Sequence, residues 1–221
     1  MQYVFQFGPI LDRWPEFLYG AARTMELTAS SAAIGFVIGI AGALGRSFGP
    51  PPVRKAIGVY VEIIRNTPLL VQLYFVFFSL PLLGLRLSSD QAAILALSIH
   101  LGAYATEILR AGVESIPSGQ IEAAKSLGLK RGQIIRHVIV VPAVRAVYPS
   151  LTSQFILQLL GTSIVSAIAA EELTAIANNM AMQTFRNFEI YIVIAVIYFV
   201  LVRLCDLLFR LFSHVLFRWK T

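Results

Sequence analysis

Of 221 residues, 57% are hydrophobic and only 14% are charged, with a formal net charge of +6. Water-soluble domains carry about 25% charged residues, and a chain this short has no interior able to hide so much hydrocarbon, so the expected solvent is lipid. The basic excess then reads as the charge bias of membrane loops rather than as a nucleic-acid footprint.

A bilayer crossing takes about 20 largely apolar residues. Residues 1–23 hold Asp12, Arg13, Trp14, Glu16 and Tyr19 and no cleavable apolar core. They are expected to form an interfacial, amphipathic piece on the outer face rather than a signal peptide. Leu27 to Gly45 is the first expected span. Its Ser31, Gly35, Gly39 and Ala43 recur every fourth residue, a small-residue spine that lets another membrane helix approach closely. Packing within the chain is the simplest use of that spine, and a dimer contact is the alternative. "GPPP", Gly49 to Pro52, ends the helix. Asn66 to Leu85 is the second span, entered from a helix that begins near Ala56 and closed by Pro81 and Gly84. Gln91 to Thr106 is the third and Ala146 to Ala170 the fourth. The fifth runs from Ile190 to about Leu211, where Arg203, Asp206 and Arg210 lie three and four apart and can pair.

Five spans in one domain, residues 1–221, make an all-α integral membrane fold. With the N-terminus outside, fourteen of the 18 basic residues fall on the cytoplasmic side, leaving only Arg13, Arg23, Arg86 and Arg186 outside. This positive-inside bias places the C-terminus in the cytoplasm. It also puts the longest polar connection there, residues 112–142.

Within it, "GQIEAAKSL" is expected to form a short helix, N-capped by Ser118 and ended by Gly128 in the left-handed conformation. Ala123, Ala124 and Leu127 would share one small-sided face, suited to a groove on another protein. "GQIEAAKS" also approaches a phosphate-binding loop, but Ala124 stands where its second glycine belongs and no strand precedes it. The chain is therefore expected to have no nucleotide site, and no catalytic set is apparent. His100, His137 and His214 have no metal-ligand spacing.

Polar residues at membrane depth are functional candidates, with bonding between helices as the plainer alternative. They are Gln72 on the second span, His100 and Tyr104 on the third, and Gln154, Gln158, Thr162 and Ser163 on the fourth. Gln154, Gln158 and Thr162 share a helix face. Glu107, three residues before Arg110, suggests a structural pair.

"EAAKSLG", followed fourteen residues after Gly128 by Pro142 in "VIVVPAV", resembles the EAA loop of bacterial ABC importer permeases. "YVEIIRNTPLLVQLYFVFFSLP", "AYATEILRAGVESIPSGQ" and "GTSIVSAIAAEEL" are similar to segments of the polar amino acid subgroup, the histidine, glutamine and arginine type. The resemblance covers nearly the whole chain. It implies the type I ABC importer transmembrane domain, a multi-pass protein of the bacterial cytoplasmic membrane. It further implies that Glu122, Ala123, Ala124 and Gly128 belong to a coupling helix docked on a separate ATPase subunit, which holds ATP and Mg. The other implied partners are a second permease chain (the same or a paralogue), an extracytoplasmic solute-binding protein and a polar amino acid. Two departures touch the pathway: Leu160 and Gly161 replace a usual Lys-Asp pair, and His100-Leu101 a frequent Asn-Ser.

The alternative is a stand-alone, ion-coupled secondary transporter or channel. Such transporters are built on inverted repeats and broken helices, and neither is apparent in the five expected spans.

Overall fold

The computed structural model describes residues 3–216. Among these residues there are helices and no strands. Helix α1 is Trp14–Phe48, α2 Pro51–Arg65, α3 Leu69–Leu83, α4 Ser89–Glu114, α5 Ser118–Ser126, α6 Arg131–Ile168, α7 Leu173–Thr184 and α8 Asn187–Leu216. Helices α1, α4, α6 and α8 are each long and apolar enough to cross a membrane, and α2 with α3 makes a fifth candidate. The crossings alternate, so the α1–α2 turn and the α4–α6 connection lie on one face, here the loop face.

The bundle is organised by α1 against α4, and small residues bring the two close. A Cβ on Gly39 would sit 2.4 Å from the Ala105 Cβ, and one on Gly42 2.2 Å from the Thr106 hydroxyl. Ser98 Oγ donates to the Ser31 carbonyl at 3.2 Å. The small-residue spine is thus used inside the chain, with Ser31, Gly35, Gly39 and Ala43 all buried.

Helix α1 starts earlier than expected. Residues 14–23 are its first turns rather than a separate interfacial piece, and at 35 residues it is about 52 Å long, well beyond the hydrocarbon thickness. Phe17 and Gly20 are buried because α7 packs on them; a Cβ on Gly20 would meet Leu173 Cα at 2.9 Å. Trp14, Leu18 and Tyr19 stay exposed on the other side. Helix α7 lies between the fourth and fifth expected spans. It is N-capped by Glu172, ends at Phe185 with φ +55°, and buries Leu173, Ala177 and Met180.

The second span is a broken helix. The α2 and α3 axes meet at 108° across Asn66–Pro68. Pro68 has no N–H and disfavours helical backbone at Thr67. The freed carbonyls are taken by side chains: Thr67 Oγ donates to Ile63 O at 2.9 Å, Asn66 to Glu62 O at 2.8 Å, and Gln72 Nε2 to Ile64 O at 2.8 Å. The expectation of no broken helix is therefore corrected for this span.

Helix α6 also begins earlier than expected and runs through Pro142. A wide π turn over Ile134–Val140 precedes the proline and accommodates its missing donor. Helix α4 is closed by a reciprocal cap, in which Ser88 Oγ accepts from Gln91 N and Gln91 Oε1 from Ser88 N. The charges near the end of α8 pair as spaced, Asp206 with Arg203 at 3.7 Å and with Arg210 at 3.0 Å. Arg218 and Lys220, counted in the charge bias, lie outside the described residues.

Glu172 ties three elements together on the face opposite the loop. Its fully buried carboxylate accepts from Ala175 N at 2.8 Å and from the Tyr198 hydroxyl on α8 at 2.7 Å. Thr24 on α1 lies beside it and accepts from Leu173 N at 3.2 Å. Burial raises the Glu172 pKa above its ordinary value of 4.5. A raised carboxyl pKa stabilises the fold below the unfolded-chain value, and that contribution is lost as pH rises through the folded value. Thermal unfolding in detergent is thus expected to give a Tm that falls as pH rises from about 4.5 toward neutrality. Glu172→Gln, which keeps the cap acceptor and removes the charge, should flatten that slope. An unchanged slope in this variant would assign the pH dependence elsewhere.

Candidate functional site: a mid-span cavity and a docking helix

Near the middle of α4, a cavity of about 120 Å³ is lined by Leu69, His100, Tyr104, Gln154, Leu157 and Gln158. The lining comes from α3, α4 and α6 because the break before Pro68 turns the start of α3 toward the other two. Leu157 is exposed, so the cavity opens at the surface of the chain on that side.

Gln158 is the most constrained polar group there. Its Nε2 donates to Ser31 Oγ and to the Leu97 carbonyl, both at 3.0 Å, which fixes the amide between α1 and α4. Its Oε1 is buried and has no protein partner. A buried amide oxygen left unpaired costs about 1–3 kcal/mol. Gln154, one turn away and 8% exposed, lines the same cavity and has no hydrogen-bond partner among the described residues. His100 stacks at a tilt on Tyr104, ring centroids 4.9 Å apart, and its Nδ1 faces Gln72 Oε1 at 3.1 Å.

The structure separates the seven expected pathway residues into three groups. His100, Tyr104, Gln154 and Gln158 meet in the cavity. Gln72 stands behind them: it closes the helix break with its nitrogen and orients His100 with its oxygen. Thr162 and Ser163 lie away from the lining, with their hydroxyls folded onto their own helix at Leu159 O and Leu160 O, 2.7 and 2.8 Å. Thr162 N–H still bonds to Gln158 O, so Thr162 follows Gln158 on the same helix face, but it is fully buried outside the lining, and a 3-10 turn begins there. Of the two departures, Leu160 is exposed and Leu101 is packed against Gly35. Two residues missed by the sequence reading are Leu69 and Leu157; apolar wall positions carry no signal in a chain this apolar.

On the loop face Glu107 pairs with Arg110, as its spacing suggested, and also meets Arg46 at 3.5 Å. Arg110 reaches on to Glu114. Two larger cavities open here, of about 440 and 350 Å³, and both include Arg65, Tyr104 and Glu107.

The α4–α6 connection carries α5. Pro117, not Ser118, occupies its N-cap position, and no side chain caps it. Its other end is a complete left-handed stop. Gly128 has φ +74°, Gly128 N–H donates to Lys125 O at 2.9 Å, and Leu129 N–H to Ala124 O at 3.1 Å. The face expected for Ala123, Ala124 and Leu127 is split. Ala124 is 4% exposed, turned inward as α5 packs on the π turn of α6. Glu122, Ala123 and Gly128 are exposed, and Leu127 is 81% exposed. The outward surface of α5 is therefore formed by Glu122, Ala123 and Leu127, while Ala124 seats the helix on its own chain.

Residues 35–217 match the family described as binding-protein-dependent transport system inner membrane component. The chain is 34% identical over 208 residues to the glutamine transport system permease protein GlnP of Escherichia coli (strain K12), covering 93% of this chain and 95% of the relative. It is 36% identical to the L-cystine transport system permease protein TcyB of Bacillus subtilis (strain 168), with 93% and 86% covered. Its fold is similar to that in a crystal structure of an amino acid ABC transporter with histidines, with a TM-score of 0.89, 36% identity, and 96% and 99% of the two chains covered. The transmembrane fold is that of a transport subunit whose ATPase resides on a separate chain. This chain belongs to the binding-protein-dependent transport system inner membrane components, the permease subunits of ABC importers.

Proposed function

We propose that this chain is a permease subunit of an ATP-driven importer of polar amino acids in a bacterial cytoplasmic membrane. The observation that carries the substrate reading is the mid-span cavity lined by His100, Tyr104, Gln154 and Gln158, in which the Gln154 amide bonds to no other described group. A free amide there suits the α-ammonium and side-chain amide donors of an amino acid. His100, held by Gln72, offers its other ring nitrogen to the same space. The names of the relatives, for glutamine and L-cystine, point to the same chemical class.

The loop face is cytoplasmic in this reading, consistent with the excess of Lys and Arg on that side. Helix α5 docks through Glu122, Ala123 and Leu127 into a cleft of an ATPase subunit, which binds ATP and Mg. Gly128 shapes the end of the helix. A second permease chain, the same or a paralogue, covers the Leu157 side of the cavity. A solute-binding protein delivers the amino acid from outside.

The test is ATPase activity of the assembled complex in nanodiscs, with its binding protein and with glutamine, histidine or L-cystine. Loaded binding protein is expected to stimulate hydrolysis severalfold over unloaded. Failure of an ATPase to co-purify with the chain, or equal rates with and without amino acid, would refute the assignment.

A further inference from the structure

Tyr104 borders all three of the cavities described above. It lines the mid-span cavity with His100, Gln154 and Gln158. It also lines both loop-face cavities, where Arg65 and Glu107 are its neighbours. A solute leaving the mid-span cavity toward the loop face therefore meets this ring.

The ring has two close neighbours. His100, one helical turn before it on α4, packs at a tilt with 4.9 Å between centroids. Arg65, the last residue of α2, lies over the ring, with the guanidinium carbon 5.3 Å from its centroid. Among the described residues no carboxylate lies within ion-pair distance of Arg65, whereas its neighbours Arg46 and Arg110 both pair with Glu107. The Tyr104 ring is thus the close contact of Arg65, with the Glu107 carboxylate attracting it from farther off, and a guanidinium over an aromatic face is attractive. Arg65 also sits at the helix break: Asn66 follows it, and the axis turns 108° before α3 begins. The residue latching the ring is therefore attached to a joint whose movement would withdraw it. The Tyr104 hydroxyl has no hydrogen-bond partner among the described residues, so the contact depends on the ring alone.

We propose that Tyr104 is the release-side gate between the mid-span cavity and the loop-face cavities, latched by Arg65 and backed by His100. Closed, it separates the amide-lined site from the charged vestibule. Movement of α2 relative to α4 withdraws Arg65 and frees the ring to change rotamer. The gate deepens the transport function proposed above, but its test requires no transport.

The experiment measures access to the mid-span cavity from the loop face. In a Cys205→Ser background, which removes the only native cysteine of the chain, Gln154→Cys places a thiol in the cavity. The complex, co-expressed with its partner subunits, is prepared as sealed vesicles exposing the loop face, and Lys130→Cys reports that orientation. A small membrane-impermeant cationic thiosulfonate is added, and its reaction with this chain is followed by mass spectrometry. Tyr104→Ala is expected to accelerate labelling of Gln154→Cys at least tenfold, and Arg65→Met several-fold. Tyr104→Phe, which keeps the ring, should match the parent, and the Lys130→Cys rate should be the same in all. Unchanged labelling in Tyr104→Ala, or Tyr104→Phe as fast as Tyr104→Ala, would overturn the gate. If Tyr104→Ala does not assemble, Arg65→Met decides alone: unchanged labelling overturns the proposal. Loss of amino acid stimulation in the parent complex would instead count against the transport function and leave the labelling result standing.

Discussion

Gly128→Trp is expected to abolish coupling between ATP hydrolysis and transport while leaving the membrane helices folded. Two effects combine. A side chain held at φ +74° costs about 1–2 kcal/mol, which loosens the stop that ends α5. An indole there would also stand next to Leu127, the most exposed docking side chain, and obstruct the partner cleft. Apart from its two sequence neighbours, no described residue has an atom within 4 Å of a Cβ at this position, so the bundle is undisturbed. The expected result is an unchanged Tm in detergent with amino acid-stimulated ATPase activity reduced at least about tenfold, the loss of roughly 1.4 kcal/mol of docking energy. Gly128→Asn, a residue that tolerates the left-handed conformation, should retain most of the activity. Equal loss in both variants would show that glycine is needed for a reason other than backbone conformation and bulk. Equal retention would remove α5 from the coupling route.

The second large effect is expected in the cavity. Gln154→Leu should lower amino acid uptake by about tenfold to a hundredfold, the range for losing a hydrogen bond to a charged group at about 1.5–3 kcal/mol. Its stability should not fall, because the Gln154 amide bonds to no other described group. Gln158→Leu should lower uptake by a similar factor and also lower Tm, since its Nε2 joins Ser31 and the Leu97 carbonyl. Thr162→Val and Ser163→Ala serve as controls, with hydroxyls that return to their own helix. Uptake measured alongside thermal unfolding separates the two glutamines. If Gln154→Leu transports normally, the solute does not use this wall.

The five crossings were legible because a bilayer demands long apolar runs and this chain supplies them. The breaks in those runs were harder to see. Apolar character continues straight through Thr67 and Pro68, so hydropathy joined what the backbone divides, yet the proline itself was the signal, since it restrains the residue before it. Helix α7 was hidden for the opposite reason. Asn178 and Asn179 give it the look of a loop, and its identity depends on burial against α1 and α8 and on the Glu172 cap, neither of which is local. Glu122, Ala123 and Gly128 are singled out by a short motif, and the structure leaves all three exposed. The inward turn of Ala124 was not legible, because it depends on where the π turn of α6 lies. Spacing by four put Gln154, Gln158 and Thr162 on one face. Thr162 keeps that face but lies outside the cavity lining, and no feature of "GTSIVSAI" announces the 3-10 winding that begins there.

The central claim is that the chain moves solute only when coupled to a borrowed ATPase, and uptake in proteoliposomes tests it most directly. The assembled complex would be reconstituted with ATP inside, amino acid-loaded binding protein outside, and ionophores to collapse ion gradients. The expected result is accumulation that requires internal ATP and binding protein and is indifferent to the ionophores. Accumulation that persists without ATP and disappears when the ion gradient is collapsed would contradict the account and establish an ion-coupled transporter instead.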